Sequence, residues 1–382
     1  MGLPKKCFSA LRHSRSAEKH KKKTLFACLQ TLFRFPPNNQ LFPVSLRRAK
    51  VPKREEKNLF ICLPNLLGFP QNPALPFDFF VEQVITILIC PYTIARRIAM
   101  LVTSKELLLD AQKNGYAVGA FNTNNLEITH AIIRAAEAKK APVLVQISAG
   151  ALKYAGPDFL PMIVGKAAEK AKVPVAIHLD HGPDFATVMV ALRTGFTSIM
   201  RDASKLPYEA NVAEVRKVVE ACHAVGVPVE AEIGKIGGAE EHVVVSEREA
   251  LMSDPQECAR FTEDAGFDFL AVAIGNAHGF YKGEPKLDFD RLVAIRNLVS
   301  VPLVLHGASG IPDYQITMAV ERGIAKINID TEVRHAMVTT VKAYMDAHPE
   351  EIDPRKIFKP AIEAMQAVVE HKIEIFKSAG RG

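Results

Sequence analysis

The chain has 382 residues, 48% of them apolar and 24% charged, a balance that fits one large or two ordinary soluble domains and excludes wholesale disorder, collagen-like repeats and a polytopic membrane protein. The net charge of +6 is unevenly placed: residues 1–99 hold 17 Lys and Arg against 5 Asp and Glu, and residues 100–382 hold 31 against 37. A basic leader therefore precedes a mildly acidic body.

The leader, residues 1–99, carries 10 of the 24 prolines and no sustained helical or alternating period. It is expected to be a disordered extension, or upstream sequence read as coding with Met100 as the start, and it stands outside the fold. The run Lys19-His20-Lys21-Lys22-Lys23 reads as a solvated charge cluster rather than a nucleic-acid contact. The apolar stretch from Phe79 to Ile98 is broken by Glu82, Gln83, Pro91, Arg96 and Arg97, which leaves too little for a bilayer span. The polar start is too long for a secretory signal, although the acid-poor first 50 residues fit a transit peptide. No nucleic-acid or membrane partner is expected. The body holds only Cys222 and Cys258, which excludes a disulfide scaffold and a thiolate metal site and points to the cytoplasm.

In the body, residues 100–382, strand and helix patterns alternate. Strands are predicted at 117–122, 142–148, 174–180, 197–204, 228–234, 269–276, 302–309 and 325–331. Amphipathic helices are predicted at 126–139, 158–172, 209–225, 255–265 and 289–299, with a helical tail over 354–376. Four strands are announced by the same punctuation, Pro142, Pro174, Pro228 and Pro302, where a missing N–H falls outside the ladder. Eight strand–helix units in this length predict an α/β fold of the closed (β/α)8, or TIM, barrel type. The rival, a doubly wound open sheet, lacks its Gly-rich turn after the first strand.

Barrel chemistry gathers at the C-terminal ends of the strands, and here those ends are polar: Asp180-His181-Gly182, Arg201-Asp202, Glu230-Ala231-Glu232, Asn276-Ala277-His278-Gly279, His306-Gly307-Ala308-Ser309 and Asn328-Ile329-Asp330-Thr331. Three histidines, His181, His278 and His306, come from three strands and can converge as an open three-imidazole cation site, zinc being the first choice. His178, two residues before Asp180 on the same strand face, reads as structural. Asp180 is placed for proton transfer beside the cation. Asp202 and Glu232 read as orienting groups, as contacts to a second cation, divalent or monovalent, or as a barrel-mouth ion pair with Arg201. The segments after strands seven and eight suit a phosphate. The Gly-rich, acidic segment 234–241 reads as a mobile loop able to close over the mouth. A Schiff-base nucleophile at Lys326 is the rival chemistry, but it leaves the histidines without a task.

Five segments in order, His178–Gly182, Val229–Gly238, Ala273–Gly279, Leu303–Gly310 and Lys326–Glu332, with Asp353-Pro354-Arg355-Lys356 in the tail, resemble the class II, metal-dependent fructose-bisphosphate and tagatose-bisphosphate aldolase family from about Met100 to the end. The resemblance implies reversible cleavage of fructose 1,6-bisphosphate, or alternatively of tagatose 1,6-bisphosphate, to two triose phosphates. It makes His181, His278 and His306 zinc ligands, with Asp202 and Glu232 as additional metal contacts. Asp180 becomes the proton donor at the aldehyde oxygen, and Glu240 the group that moves the carbon proton. Gly279, Gly307, Ala308, Ser309, Asn328, Ile329, Asp330 and Thr331 hold dihydroxyacetone phosphate, and Ser148 contacts the glyceraldehyde 3-phosphate side. A homodimer or homotetramer is implied. Arg201 departs from the family pattern, which has an apolar residue there, and the loop reads Ala239-Glu240-Glu241-His242 where other polar residues are usual.

Overall fold

Alternation along each strand gives it one face for the helices outside and one for the barrel interior. The computed structural model describes residues 100–382 apart from 235, 241, 242, 246–251, 280 and 282, with the backbone alone at 237–240 and 243–245; the expected leader lies outside the described residues. Eight parallel strands close the barrel: β1 (Val118–Asn122), β2 (Val143–Ser148), β3 (Val175–Gly182), β4 (Ser198–Arg201), β5 (Val229–Ile233), β8 (Phe269–Val272), β10 (Leu303–Leu305) and β11 (Ile324–Ile329), with β11 pairing back onto β1. The (β/α)8 expectation is thus met. Among the described residues a second sheet joins β6 (Gly237–Glu240) to β7 (Val243–Val245) and to the short β9 (Ala277–His278).

Some of the helices around the ring start where a capping side chain satisfies one of their first N–H groups. In α2 (Leu126–Lys139) Asn125 accepts from Ile128 N at 3.0 Å, and in α7 (Pro255–Ala265) Asp254 accepts from Glu257 N at 2.9 Å. Both ranges match the sequence expectation, because a cap precedes an amphipathic run in each. Five strand windows overran their C-terminal ends, three of them by three residues or more. β4 stops at Arg201, β8 at Val272 and β10 at Leu305, because the polar residues beyond bend out of the ladder. Asn276 shows how: its Oδ1 accepts from Ile274 N at 2.8 Å while its Nδ2 donates to the His306 carbonyl at 3.0 Å.

The interior grades from apolar to polar along the barrel axis. At the N-terminal end Val118, Ala120, Leu144, Ala176, Phe269, Ala271, Val304 and Ala325 form one buried cluster with Leu108 and Ala111 of α1 (Ser104–Asn114), which closes that mouth. Polar residues of the barrel strands, Asn122, Gln146, His178, Asp180, Glu230, Glu232, Lys326 and Asn328, are also all buried. The tail helix α11 (Pro354–Ile375) leads to Phe376, whose carbonyl accepts from Ala117 N at 2.9 Å and whose ring stacks on Phe121 with centroids 6.5 Å apart. Among the described residues no helix is long and apolar enough to cross a membrane. Phe376→Ala is expected to cost about 3–5 kcal/mol through the cavity it leaves, read as a lower urea midpoint; an unchanged midpoint would remove the tail from the core.

Candidate metal centre and active site

The polar ends of β3, β9 and β10 bring His181, His278 and His306 to one point. One nitrogen from each ring lies within 4.8 Å of the others, and the ring centroids are 4.7 to 6.0 Å apart. His181 Nε2 and His306 Nδ1 face each other at 3.0 Å. Their outer nitrogens are both taken by carboxylates: His181 Nδ1 donates to Asp202 Oδ2 at 2.9 Å, and His306 Nε2 donates to Glu230 Oε1 at 2.8 Å. A carboxylate only accepts, so each ring spends its N–H outward and turns a lone pair inward. Two lone pairs at that distance repel unless a proton or a metal cation lies between them.

The surrounding charges point the same way. Burial disfavours a charged His181 ring, but Asp180, Asp202 and Glu232 outweigh it and hold its pKa well above the ordinary value. Burial keeps the His306 pKa low despite Glu230. Burial, seconded by Asp202, pushes the Glu232 carboxyl well above the carboxylate range, although His181 opposes it. Glu232 Oε2 is buried without a hydrogen-bond partner among the described residues and lies 4.0 Å from His306 Nδ1. A borderline divalent cation fits this donor set: two imidazole lone pairs with fixed tautomers, a third imidazole and an unsatisfied carboxylate oxygen. Tetrahedral bonds of about 2.0–2.1 Å put neighbouring nitrogens roughly 3.3 Å apart, close to the separation found. Asp202 and Glu232 also form a second candidate group with His181. The alternative reading of those carboxylates as an ion pair with Arg201 is not what the structure has; Arg201 pairs with Glu214 Oε2 at 3.0 Å.

Asp180, one residue before His181 on β3, is buried and held by two amides. Asn122 Nδ2 donates to Oδ2 at 2.8 Å and Asn328 Nδ2 to Oδ1 at 3.2 Å, while Gln146 Nε2 donates to Asn122 Oδ1 at 2.9 Å. Asn122 and Gln146 were not singled out from the sequence. The signal was there: each is a polar residue at an inward position of an otherwise apolar strand.

Within the segment 234–241, expected to be a mobile loop, residues 237–240 form strand β6. Position 238 pairs with His278 and position 240 with Val243, so Glu240 lies two residues along the strand from the partner of a site histidine, on a backbone tied to the mouth. Ser148 caps the helix α3 (Ala149–Ala155) by accepting from Ala151 N at 3.1 Å. The loops after β10 and β11 lie side by side, with Ala308 N directed at the Asn328 carbonyl at 3.4 Å. Gly307 has φ 58°, and a Cβ there would collide with the Ala277 carbonyl, so only glycine permits this approach to the His278 strand. Gly310 N donates to Glu332 Oε1 at 2.7 Å, and Asp330 pairs with Arg334. Helix α10 (Thr331–Ala347) begins at Thr331, directly after the second of these loops. Such an end favours an anion.

Lys326 is fully buried, its Nζ 2.8 Å from Glu230 Oε2 and 3.4 Å from His178 Nε2. His178 Nδ1 meets Ser198 Oγ at 2.7 Å, and its pKa is well below the ordinary value because of burial and the Lys326 charge. Lys326 thus compensates the carboxylate behind His306 rather than facing the mouth as an amine. Lys326→Met is expected to leave Glu230 uncompensated and to lower stability by about 3–5 kcal/mol, measured by denaturant unfolding; retained stability would disprove the pairing.

Known proteins resemble the barrel over nearly its whole length. The sequence profile of the class-II fructose-bisphosphate aldolase family matches residues 102–381. Fructose-bisphosphate aldolase of Thermus caldophilus is 48% identical over 305 residues, covering 74% of this chain and 100% of its own length. That of Staphylococcus aureus is 45% identical over 284 residues, covering 74% and 99%. Among solved structures, the YdjI aldolase of Escherichia coli K12 superposes with a TM-score of 0.67 at 37% identity, covering 74% of this chain and 99% of the other. A fructose-1,6-bisphosphate aldolase assigned in Coccidioides immitis gives 0.67 at 34%, covering 72% and 96%. A barrel with inward-turned imidazoles at its mouth, matched over nearly the whole body by these relatives, identifies the chain as a member of the class II fructose-bisphosphate aldolase family.

Proposed function

We propose that this chain cleaves fructose 1,6-bisphosphate reversibly to dihydroxyacetone phosphate and glyceraldehyde 3-phosphate at the three-histidine centre, with zinc as the cation. The observation that carries the reading is the 3.0 Å approach of His181 Nε2 and His306 Nδ1, whose outer nitrogens are committed to Asp202 and Glu230. Family membership supplies the substrate class. The relatives at 45–48% identity bear the fructose name and favour that sugar over tagatose 1,6-bisphosphate, which differs at one carbinol centre. The cytoplasm suits two buried free cysteines, and the homodimer or homotetramer implied by the resemblance belongs to the same reading.

When bound, the cation acts as a Lewis acid that draws off the negative charge developing on the substrate oxygens. His181, His278 and His306 would hold it, with Glu232 Oε2 and Asp202 as further oxygen donors. In cleavage the hydroxyl on the departing aldehyde carbon must lose its proton as the carbon–carbon bond breaks. Asp180, its two oxygens fixed by Asn122 and Asn328, accepts that proton and returns it in condensation. Proton balance thus makes Asp180 the acceptor in cleavage, where the sequence reading made it the donor. Glu240 delivers a proton to the carbon left behind. Gly279, Gly307 to Ser309 and Asn328 to Thr331 anchor the phosphate near the N-terminus of α10, fixing the reacting carbons against Asp180. Ser148, at the end of β2 beside Asp180 in register, faces the aldehyde half.

A steady-state assay on both sugars, before and after EDTA and zinc, tests the reading. Activity on the fructose ester that is lost to EDTA and regained with zinc is expected; EDTA-resistant activity, trapped by borohydride, would replace it with Lys326 chemistry. Asp180→Asn is expected to lower kcat by about 10²–10⁴-fold with zinc content unchanged, and an unchanged kcat would remove Asp180 from the proton path.

A further inference from the structure

Arg201 is a charged side chain, 5% exposed, that the proposed reaction does not use. It ends β4, beside the β3 turn that carries His181. Its Nη1 donates to the Gly182 carbonyl at 3.3 Å and to the Asp202 carbonyl, and its Nη2 donates to Glu214 Oε2 at 3.0 Å on helix α6 (Tyr208–His223). The Gly182 carbonyl also accepts from Asp202 N at 3.2 Å. One guanidinium therefore ties together the residue after His181, the residue whose carboxylate orients His181, and an outer helix.

This junction needs holding. The β3–β4 ladder pairs Leu179 with Ile199 and then resumes at Gly182 with Arg201. Within that slip His181 adopts φ 45°, the left-handed region. For a residue with a Cβ such a conformation costs about 1–3 kcal/mol and persists only where neighbours impose it. Gly182 sits tightly beneath, since a Cβ there would approach the Met200 carbonyl to 2.5 Å. Burying a guanidinium is itself unfavourable, and Arg201 Nε is buried with no partner among the described residues. An apolar side chain of similar length would avoid that desolvation, so overall stability does not explain Arg201.

We infer that Arg201, braced by Glu214, is a positioning residue of the metal centre: it clamps the ends of β3 and β4 so that Asp202 stays against His181 Nδ1 and His181 Nε2 stays aimed at the cation. The inference rests on the reading of the centre as a metal site. Arg201 touches neither cation nor substrate; it acts through the backbone of Gly182 and Asp202.

The test uses the full chain as wild type, Arg201→Met, Arg201→Lys and Glu214→Gln. Zinc affinity is read by competition with a chromophoric chelator, the visible spectrum after loading with cobalt(II), and the thermal midpoint after EDTA. Arg201→Met is expected to weaken zinc binding about 10-fold or more, the range for outer partners of metal ligands. The cobalt spectrum should change while the EDTA-treated midpoint stays at or above that of wild type. Arg201→Lys should recover part of the affinity, and Glu214→Gln should lose part of it. Zinc binding as tight as wild type in Arg201→Met overturns the clamp, as does a collapsed midpoint with unchanged affinity. Should Arg201→Met fail to fold, Glu214→Gln decides by the same affinity criterion. Wild type that binds no zinc overturns the metal reading together with the clamp, whereas tight binding by wild type and variants alike overturns the clamp alone.

Discussion

Two imidazole nitrogens 3.0 Å apart, each with its outer nitrogen bound to an ionised carboxylate, set the terms for the whole mouth of the barrel. Asp202 and Glu230 are both held well below the usual carboxylate range despite burial, by the His181 hydrogen bond and charge in one case and by the Lys326 charge and the His306 hydrogen bond in the other. Neither can donate, so both rings must, and the lone pairs left over converge. Everything nearby either maintains that arrangement or uses the positive charge it calls for. Lys326 keeps Glu230 ionised, and the left-handed turn at His181 swings its ring toward the other two.

The barrel interior makes these charges tolerable by separating them along its axis. Below the centre, Phe269, Leu144 and the alanines of β1, β3, β8 and β11 pack against α1 without polar atoms to satisfy. Above them Ser104, Ser198, His178, Lys326 and Glu230 form one hydrogen-bonded line that ends at His306. A buried ion pair contributes little net stability, because desolvation offsets attraction. Its value here is directional: it leaves Glu230 Oε1 as a fixed acceptor behind His306, and so determines which ring nitrogen faces the mouth.

The strand beat, the amphipathic runs between strands and the proline punctuation made the barrel legible, because they act over neighbouring residues. The three histidines were legible for the same reason: a barrel topology says where strand ends go. What stayed hidden depends on partners distant in sequence. Glu230 and Glu232 are two apart on one strand and look alike, yet one sits against Lys326 and His306 and the other holds a buried oxygen without a partner. Asn122 and Gln146 gain meaning only through Asp180 across the ring. Segment 234–241 has a loop's composition, yet its residues 237–240 form a strand through pairing with β7 and with β9, some forty residues on.

That strand bears on how proton transfer and cation binding stay coordinated. The backbone pairing of position 238 with His278 means that the segment carrying Glu240 and the segment carrying a site histidine belong to one ladder. Their separation is therefore set by hydrogen bonds rather than by the wanderings of a free loop. Gly307 adds a third partner, since its bare α-carbon lies against Ala277, and Tyr281 completes the join by accepting from Ala277 N at 2.8 Å and donating to the Gly307 carbonyl at 2.9 Å. Burial raises the Tyr281 hydroxyl to about 12, so it remains a neutral donor over the working range. The proposed carbon-proton position, the His278 segment and the start of the proposed phosphate loop thus share one small hydrogen-bonded unit outside the barrel ring.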